Sequence, residues 1–352
     1  MGGAVVQSQT ADERAVEARS GVAASLWMLG PPLAALAYPH ILKSFSAQIA
    51  DRPSDPAGIA IVTALLLAAM SVPLYALYTA ARLGRIDHPS AFQVRARRLA
   101  FFSMAAPPLF VLFGVGLGLV GSPVRDVTAW TVCWAGATLY GVVASRRTME
   151  VQRVAPPKLR IFHGATAALL VIFVAFHLSN HLVGLLGPDA HARVMAVGRT
   201  VYRSGAVEPL LIALLLTQIV TGGRLAWRWT TSGGDWHRTL QIGSGVYLGA
   251  FIVTHLNSAL ISARLVRDLP TNWAWASGAP EGLLYDAWNI RLLPHYAFGV
   301  LFVAVHLSSG LRVVLMAHGV GQRAANMIWI AGAVAGAAVA TAIVAALLGA
   351  RI

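Results

Sequence analysis

Cysteine is almost missing from this 352-residue chain. The single Cys133 lies inside an apolar run, which excludes intramolecular disulfides, cysteine zinc sites and a cysteine-held iron–sulfur cluster. Charge is scarce too: Asp, Glu, Lys and Arg make up 12% of the residues, about half the share in a soluble globular protein. No glycine-rich dinucleotide fingerprint is present. The first 20 residues mix both charges and lack the basic-then-apolar order of a signal peptide, and they read as a short cytoplasmic lead-in.

Apolar residues dominate what is present, at 57% of the chain with a mean hydropathy of +0.65. A soluble domain could not keep so much apolar surface from water, so the composition implies an all-α polytopic membrane protein. The net charge of +13 is then explained by topology and anionic lipid rather than by nucleic acid, because Lys and Arg gather between apolar runs. A bilayer core of about 30 Å takes about 20 apolar residues per helix. That length predicts nine transmembrane segments: 22–43, 57–83, 97–120, 127–145, 160–186, 205–230, 238–266, 291–317 and 325–349. Arg82, Arg85, Arg95, Arg97 and Arg98 follow the second segment, and Arg146, Arg147, Arg153, Lys158 and Arg160 follow the fourth. The alternation places the N-terminus inside and the C-terminus outside, as in a bacterial inner membrane. The stretch after the fifth segment is an exception, with Arg193, Arg199 and Arg203 against Asp189.

Residues 1–155 carry little visible chemistry and read as a four-helix membrane region of unassigned role; His40 is their only membrane-embedded histidine. Residues 156–352 repeat internally. Arg160 is followed 17 residues later by His177-Leu178-Ser179-Asn180, and Arg238 is followed 17 residues later by His255-Leu256-Asn257-Ser258. The intervening helices match as well, through Gln218-x-x-x-Gly222-x-Arg224 and His306-x-x-x-Gly310-x-Arg312. The unit is a two-helix hairpin used twice, which suits a four-helix bundle with a fifth helix after it.

Depth gives the pattern its chemistry. His177 and His255 each lie about 25 Å along their helices from the inner arginine, at matching depth in the outer half. Gln218 and His306 match each other in the inner half. Two facing imidazoles inside a bundle can ligate a b-type haem iron from both sides. Gly164, Gly222, Gly243, Gly245 and Gly310 leave room for a porphyrin, and Arg160, Arg203, Arg238 and His163 are candidate propionate partners. A lone membrane histidine can simply hydrogen-bond across helices, but two at repeat-equivalent positions favour function. His181, one turn beyond His177, suits polar packing or a quinone pocket. Glu208, at the outer start of the sixth segment, is either a proton carrier for quinone or a helix-start acid answering the dipole. Trp273, Trp275, Tyr285 and Trp288 read as interfacial anchors.

The part from about Pro157 onward resembles the membrane cytochrome b subunit of succinate:quinone oxidoreductases and fumarate reductases, in its single-chain, five-helix, two-haem class. The likeness lies in helix count, N-inside orientation, length, an Arg near the start of the first helix, and His306-Leu307-Ser308-Ser309-Gly310. It implies an outer haem on His177 and His255 and an inner one on Gln218 and His306. Gln218 stands where a histidine is expected, so the implication is one haem b, or two if His306 finds another partner. It also implies iron–sulfur and flavoprotein subunits on the cytoplasmic face and a membrane quinone. A haem-free transporter or assembly protein of the same fold, and a cytochrome b subunit serving another dehydrogenase, are the alternatives.

Overall fold

The computed structural model describes residues 27–143 and 156–352. The lead-in of residues 1–20 and the charged stretch containing Arg146, Arg147 and Arg153 lie outside them. Among the described residues the chain is entirely helical, with no strand. The helices are α1 (Gly30–Ala50), α2 (Pro56–Leu83), α3 (Ala91–Met104), α4 (Ala106–Leu119), α5 (Asp126–Val142), α6 (Pro157–Val183), α7 (Pro188–Tyr202), α8 (Val207–Trp229), α9 (Trp236–Leu256), α10 (Trp273–Ser277), α11 (Gly282–Tyr285), α12 (Leu292–Ala317) and α13 (Gln322–Leu347).

Six of these stretches are long and apolar enough to cross a membrane, and a bent pair makes up to seven. This is the composition of an integral membrane protein. The nine expected spans differ from it in two places. α1 carries Pro39, His40, Lys43 and Gln48, too polar a mix for its 21 residues, and α5 runs for only 17. The third expected span is two helices, α3 and α4, bent by 67°. Pro107 and Pro108 open α4 and cannot donate to the preceding turn, so the helix breaks at Ala105.

Local signals fix the starts. Asp55 accepts from Gly58 N at 2.9 Å and Pro56 begins α2. Ser90 and Gln93 form a reciprocal capping box on α3, so that helix begins six residues before the expected 97. Asp235 accepts from Arg238 N and caps α9. Beyond Leu256, α9 continues as ten π-helical residues, Asn257–Val266, and α7 forms a helix where the sequence reading left a loop.

Helices α6, α8, α9, α12 and α13 pack in that order as a ring, with α13 returning to α6. Helices α2, α3 and α4 cover the side of α9 that faces away from the ring's interior, and α5 packs on α1. The two regions of sequence share buried clusters. Ile290 and Leu293 join Tyr38, Phe45, Phe110 and Trp130; Ala76, Leu77 and Met104 join Tyr247, Phe298 and Phe302. Polar ties reinforce the seam. Thr254 Oγ1 donates to the Pro108 carbonyl at 2.9 Å, and Arg97, only 3% exposed, donates to the Ser232 carbonyl at 2.6 Å. Arg291 pairs with Asp126 at 2.7 Å.

Candidate functional site

Two imidazole pairs span the interior of the ring. On α6, His163 and His177 are fourteen residues apart, about 3.9 turns, so both project from one face roughly 21 Å apart. His163 meets His306 of α12, with ring centroids 6.4 Å apart. His177 meets His255 of α9, with centroids 5.9 Å apart. Both spacings fall in the ordinary range for packed aromatic rings; two imidazoles on opposite sides of one metal, each with a metal–nitrogen bond of about 2 Å, would also have ring centres about 6 Å apart, so the spacing is compatible with either pair sharing one.

The inner pair is held by its outward-facing nitrogens. Thr221 Oγ1 donates to the Thr217 carbonyl at 2.7 Å, so it accepts from His163 Nδ1 at 2.8 Å. His306 Nδ1 lies 3.2 Å from the Gln241 carbonyl, which can only accept, and 3.1 Å from Ser244 Oγ. Both Nδ1 atoms therefore carry the proton, and both Nε2 lone pairs are free to bind a metal. An acceptor behind the distal nitrogen is how metal-ligating histidines are usually oriented. Glycine stands beside each ring. A Cβ at Gly222 would lie 3.2 Å from His163 Cε1, and one at Gly245 would lie 2.9 Å from His306 Cε1.

This pairing corrects the expectation that Gln218 stands opposite His306. The Gln218 amide instead donates to the His163 carbonyl at 3.0 Å and to Thr166 Oγ1, and its reach is spent on the backbone of α6. His163, expected beside a propionate, occupies the position opposite His306. The fourteen-residue spacing to His177 was the signal that would have found it.

The outer pair is built from aromatic stacking instead. Phe173 stacks on His177 at 5.5 Å and Phe251 on His255 at 5.7 Å, one helical turn earlier in each case. The equivalence of the two hairpins thus extends to this site. His181 touches His177 at 4.8 Å and His191 at 5.5 Å, and His191 lies 3.3 Å from Asn180 Nδ2. His191 packs edge-on to Trp273, which is buried rather than anchored at an interface. His295, which the sequence reading missed, is buried 4.5 Å from Phe251. The Nδ1 atoms of His181, His191 and His295 are buried without partners among the described residues.

The remaining candidates are peripheral to the imidazoles. The Arg238 guanidinium lies over Trp229 at 4.3 Å, while Arg160 is exposed at the start of α6. Glu208 is engaged by Arg264 in a two-pronged ion pair, so its carboxylate is already neutralised. Among the described residues no three His, Cys, Asp or Glu gather as a bare metal centre would require. A haem iron would ask the protein for only two ligands, and each pair presents two imidazoles. No protein-family model, curated protein or solved structure matches the chain.

Proposed function

We propose that this chain is a haem b-carrying membrane subunit that passes electrons through two sites, His163/His306 and His177/His255. The observation that carries the reading is the pair of centroid spacings, 6.4 and 5.9 Å, with the inner rings oriented through Nδ1 so that Nε2 is free. A haem held at either site would supply one-electron transfer between ferric and ferrous iron.

The chain's own residues do the positioning. Thr221, and Ser244 with the Gln241 carbonyl, fix the tautomer and the plane of the inner rings. Phe173 and Phe251 hold the outer rings by stacking, without a hydrogen-bonded acceptor. Because α6 contributes one ligand to each site, its rigid rise sets their separation and places them at different depths. On the resemblance set out above, electrons would pass, in either direction, between membrane quinone and an iron–sulfur subunit, itself joined to a flavoprotein, on the inner face. His181, against His177, is the group we assign to that exchange, in a complex of the succinate dehydrogenase or fumarate reductase kind, with Glu208 the acid at the start of α8. The chain would then be a non-catalytic electron-transfer subunit.

The test is a reduced-minus-oxidised optical spectrum with a haem count per chain. Two haems b are expected, with His163→Ala or His306→Ala removing one and His177→Ala or His255→Ala removing the other. A protein made with ample haem that carries none sinks the reading and leaves the transporter or assembly role. One haem, insensitive to His163, returns the inner site to an accessory role.

A further inference from the structure

Arginine is over-supplied at the α7 end of the bundle, the side where the sequence departs from the positive-inside pattern. Arg199 Nη2 donates to the carbonyl of Thr271 at 2.9 Å and to its hydroxyl at 3.2 Å. Arg203 Nη2 donates to the same hydroxyl at 2.9 Å. Two guanidiniums thus converge on one neutral oxygen, and neither has an ion pair among the described residues. Arg199 Nε is buried with no acceptor among the described residues. Desolvation, and then the charges of Arg199 and Arg264, hold Arg203 below the usual arginine range. Guanidinium forks of this kind match phosphate and carboxylate oxygens.

Next to the cluster a groove of about 460 Å³ runs between α8 and the π-helical end of α9, lined by Glu208, Pro209, Ile212, Leu216, Leu260 and Arg264. The Glu208–Arg264 pair supplies its charge, and the other four of these residues are apolar. Leu216 and Leu265, which also borders it, are 48% and 73% exposed, so the groove opens towards lipid. A headgroup-level cation cluster continuous with an apolar channel fits one kind of molecule. We propose that this end of the bundle binds a single anionic phospholipid, its phosphate on Arg199 and Arg203 and an acyl chain in the groove. The assignment does not depend on the haem reading.

The experiment titrates delipidated full-length protein with phosphatidylglycerol, phosphatidylcholine or inorganic phosphate, following bound lipid by native mass spectrometry and stability by thermal shift. Phosphatidylglycerol should bind in preference to phosphatidylcholine. Arg199→Gln and Arg203→Gln should each weaken it about five-fold, and the double variant roughly 25-fold. Arg193→Gln, on the exposed side of α7, should leave it unchanged. Should the double variant fail to fold, Ala213→Phe, which adds bulk at another residue lining the groove and leaves the guanidiniums intact, should weaken binding alone. Equal binding of the two lipids overturns the proposal, as does an equal loss in Arg193→Gln. Inorganic phosphate stabilising the protein as well as lipid, with the same dependence on Arg199 and Arg203, overturns it in favour of a soluble anion. The haem spectrum of each sample is read in parallel, so failure here is separable from failure of the electron-transfer role.

Discussion

Gln218 and His306 make the same two contacts in successive hairpins. The Gln218 amide bonds the His163 carbonyl and the Thr166 hydroxyl; His306 Nδ1 meets the Gln241 carbonyl and the Ser244 hydroxyl. His163 and Gln241 are 78 residues apart, as are Thr166 and Ser244. The duplicated hairpin has kept its contacts while exchanging imidazole and amide, so that each copy retains one inner-level histidine on opposite members of the pair. Gln218 therefore holds α6 in place from a position where the second copy carries His306.

Gln218→Leu should leave the haem count unchanged and lower stability by about 0.6–1.7 kcal/mol, the range of interhelical hydrogen bonds in membranes. Haem count and thermal unfolding of the purified variant check both halves. A halved haem count would make the amide a ligand after all.

Thr221→Val removes the acceptor behind His163 Nδ1 and keeps the side-chain shape. Loss of such a partner typically costs ~10–100-fold in metal affinity. Haem should leave the inner site faster in the presence of a competing apo-protein, while the outer haem is retained as in the parent. Equal retention at both sites would show that the hydroxyl does not orient the ring.

His191 lies outside the spans, and burial followed by the Arg199 charge holds it below its usual range. In the unfolded chain its imidazole takes up a proton near pH 6.5, but in the folded protein only at lower pH. The unfolded state binds more protons in that window. Stability should therefore fall as pH drops below about 6.5, level off under the folded value, and not change above 6.5 on this account. Melting temperatures between pH 8 and 5 should decline less steeply in His191→Gln than in the parent.

Asp126→Asn leaves Arg291, 7% exposed, without its counter-charge between the Trp288 and Phe110 rings. Breaking a fully buried pair costs about 3–5 kcal/mol. The carboxylate here is partly exposed, so a loss of about 2 kcal/mol is expected, read from thermal unfolding. A melting temperature unchanged from the parent would mean that the pair is solvated in the membrane-embedded protein.

The sequence made the membrane class and the hairpin repeat legible because hydropathy and spacing act locally. His177 and His255 were found by the same means, since equivalent positions in the two copies are visible without a fold. His163 was not, because its partner is on a helix of the other hairpin and only the closed ring brings α6 to α12. The bend at Ala105 is only half legible: Pro107 and Pro108 interrupt the helix, but nothing local sets its 67°, and the contact of Thr254 on α9 with the Pro108 carbonyl is visible only in the fold. The shared core between the first and second halves was not legible either, because no pattern in residues 1–155 names the helix they cover.

That cover bears on how the chain enters the bilayer. Among the six apolar spans, the one containing α9 has the lowest mean hydropathy, 1.5 against 2.2 for α2 and α13. It also buries the hydroxyls of Thr239, Ser244 and Thr254. Helices α2–α4 are synthesised before it and form the wall it rests on. The least apolar of the six spans thus emerges from the ribosome after the helices that pack on it, although those helices supply none of the paired imidazoles.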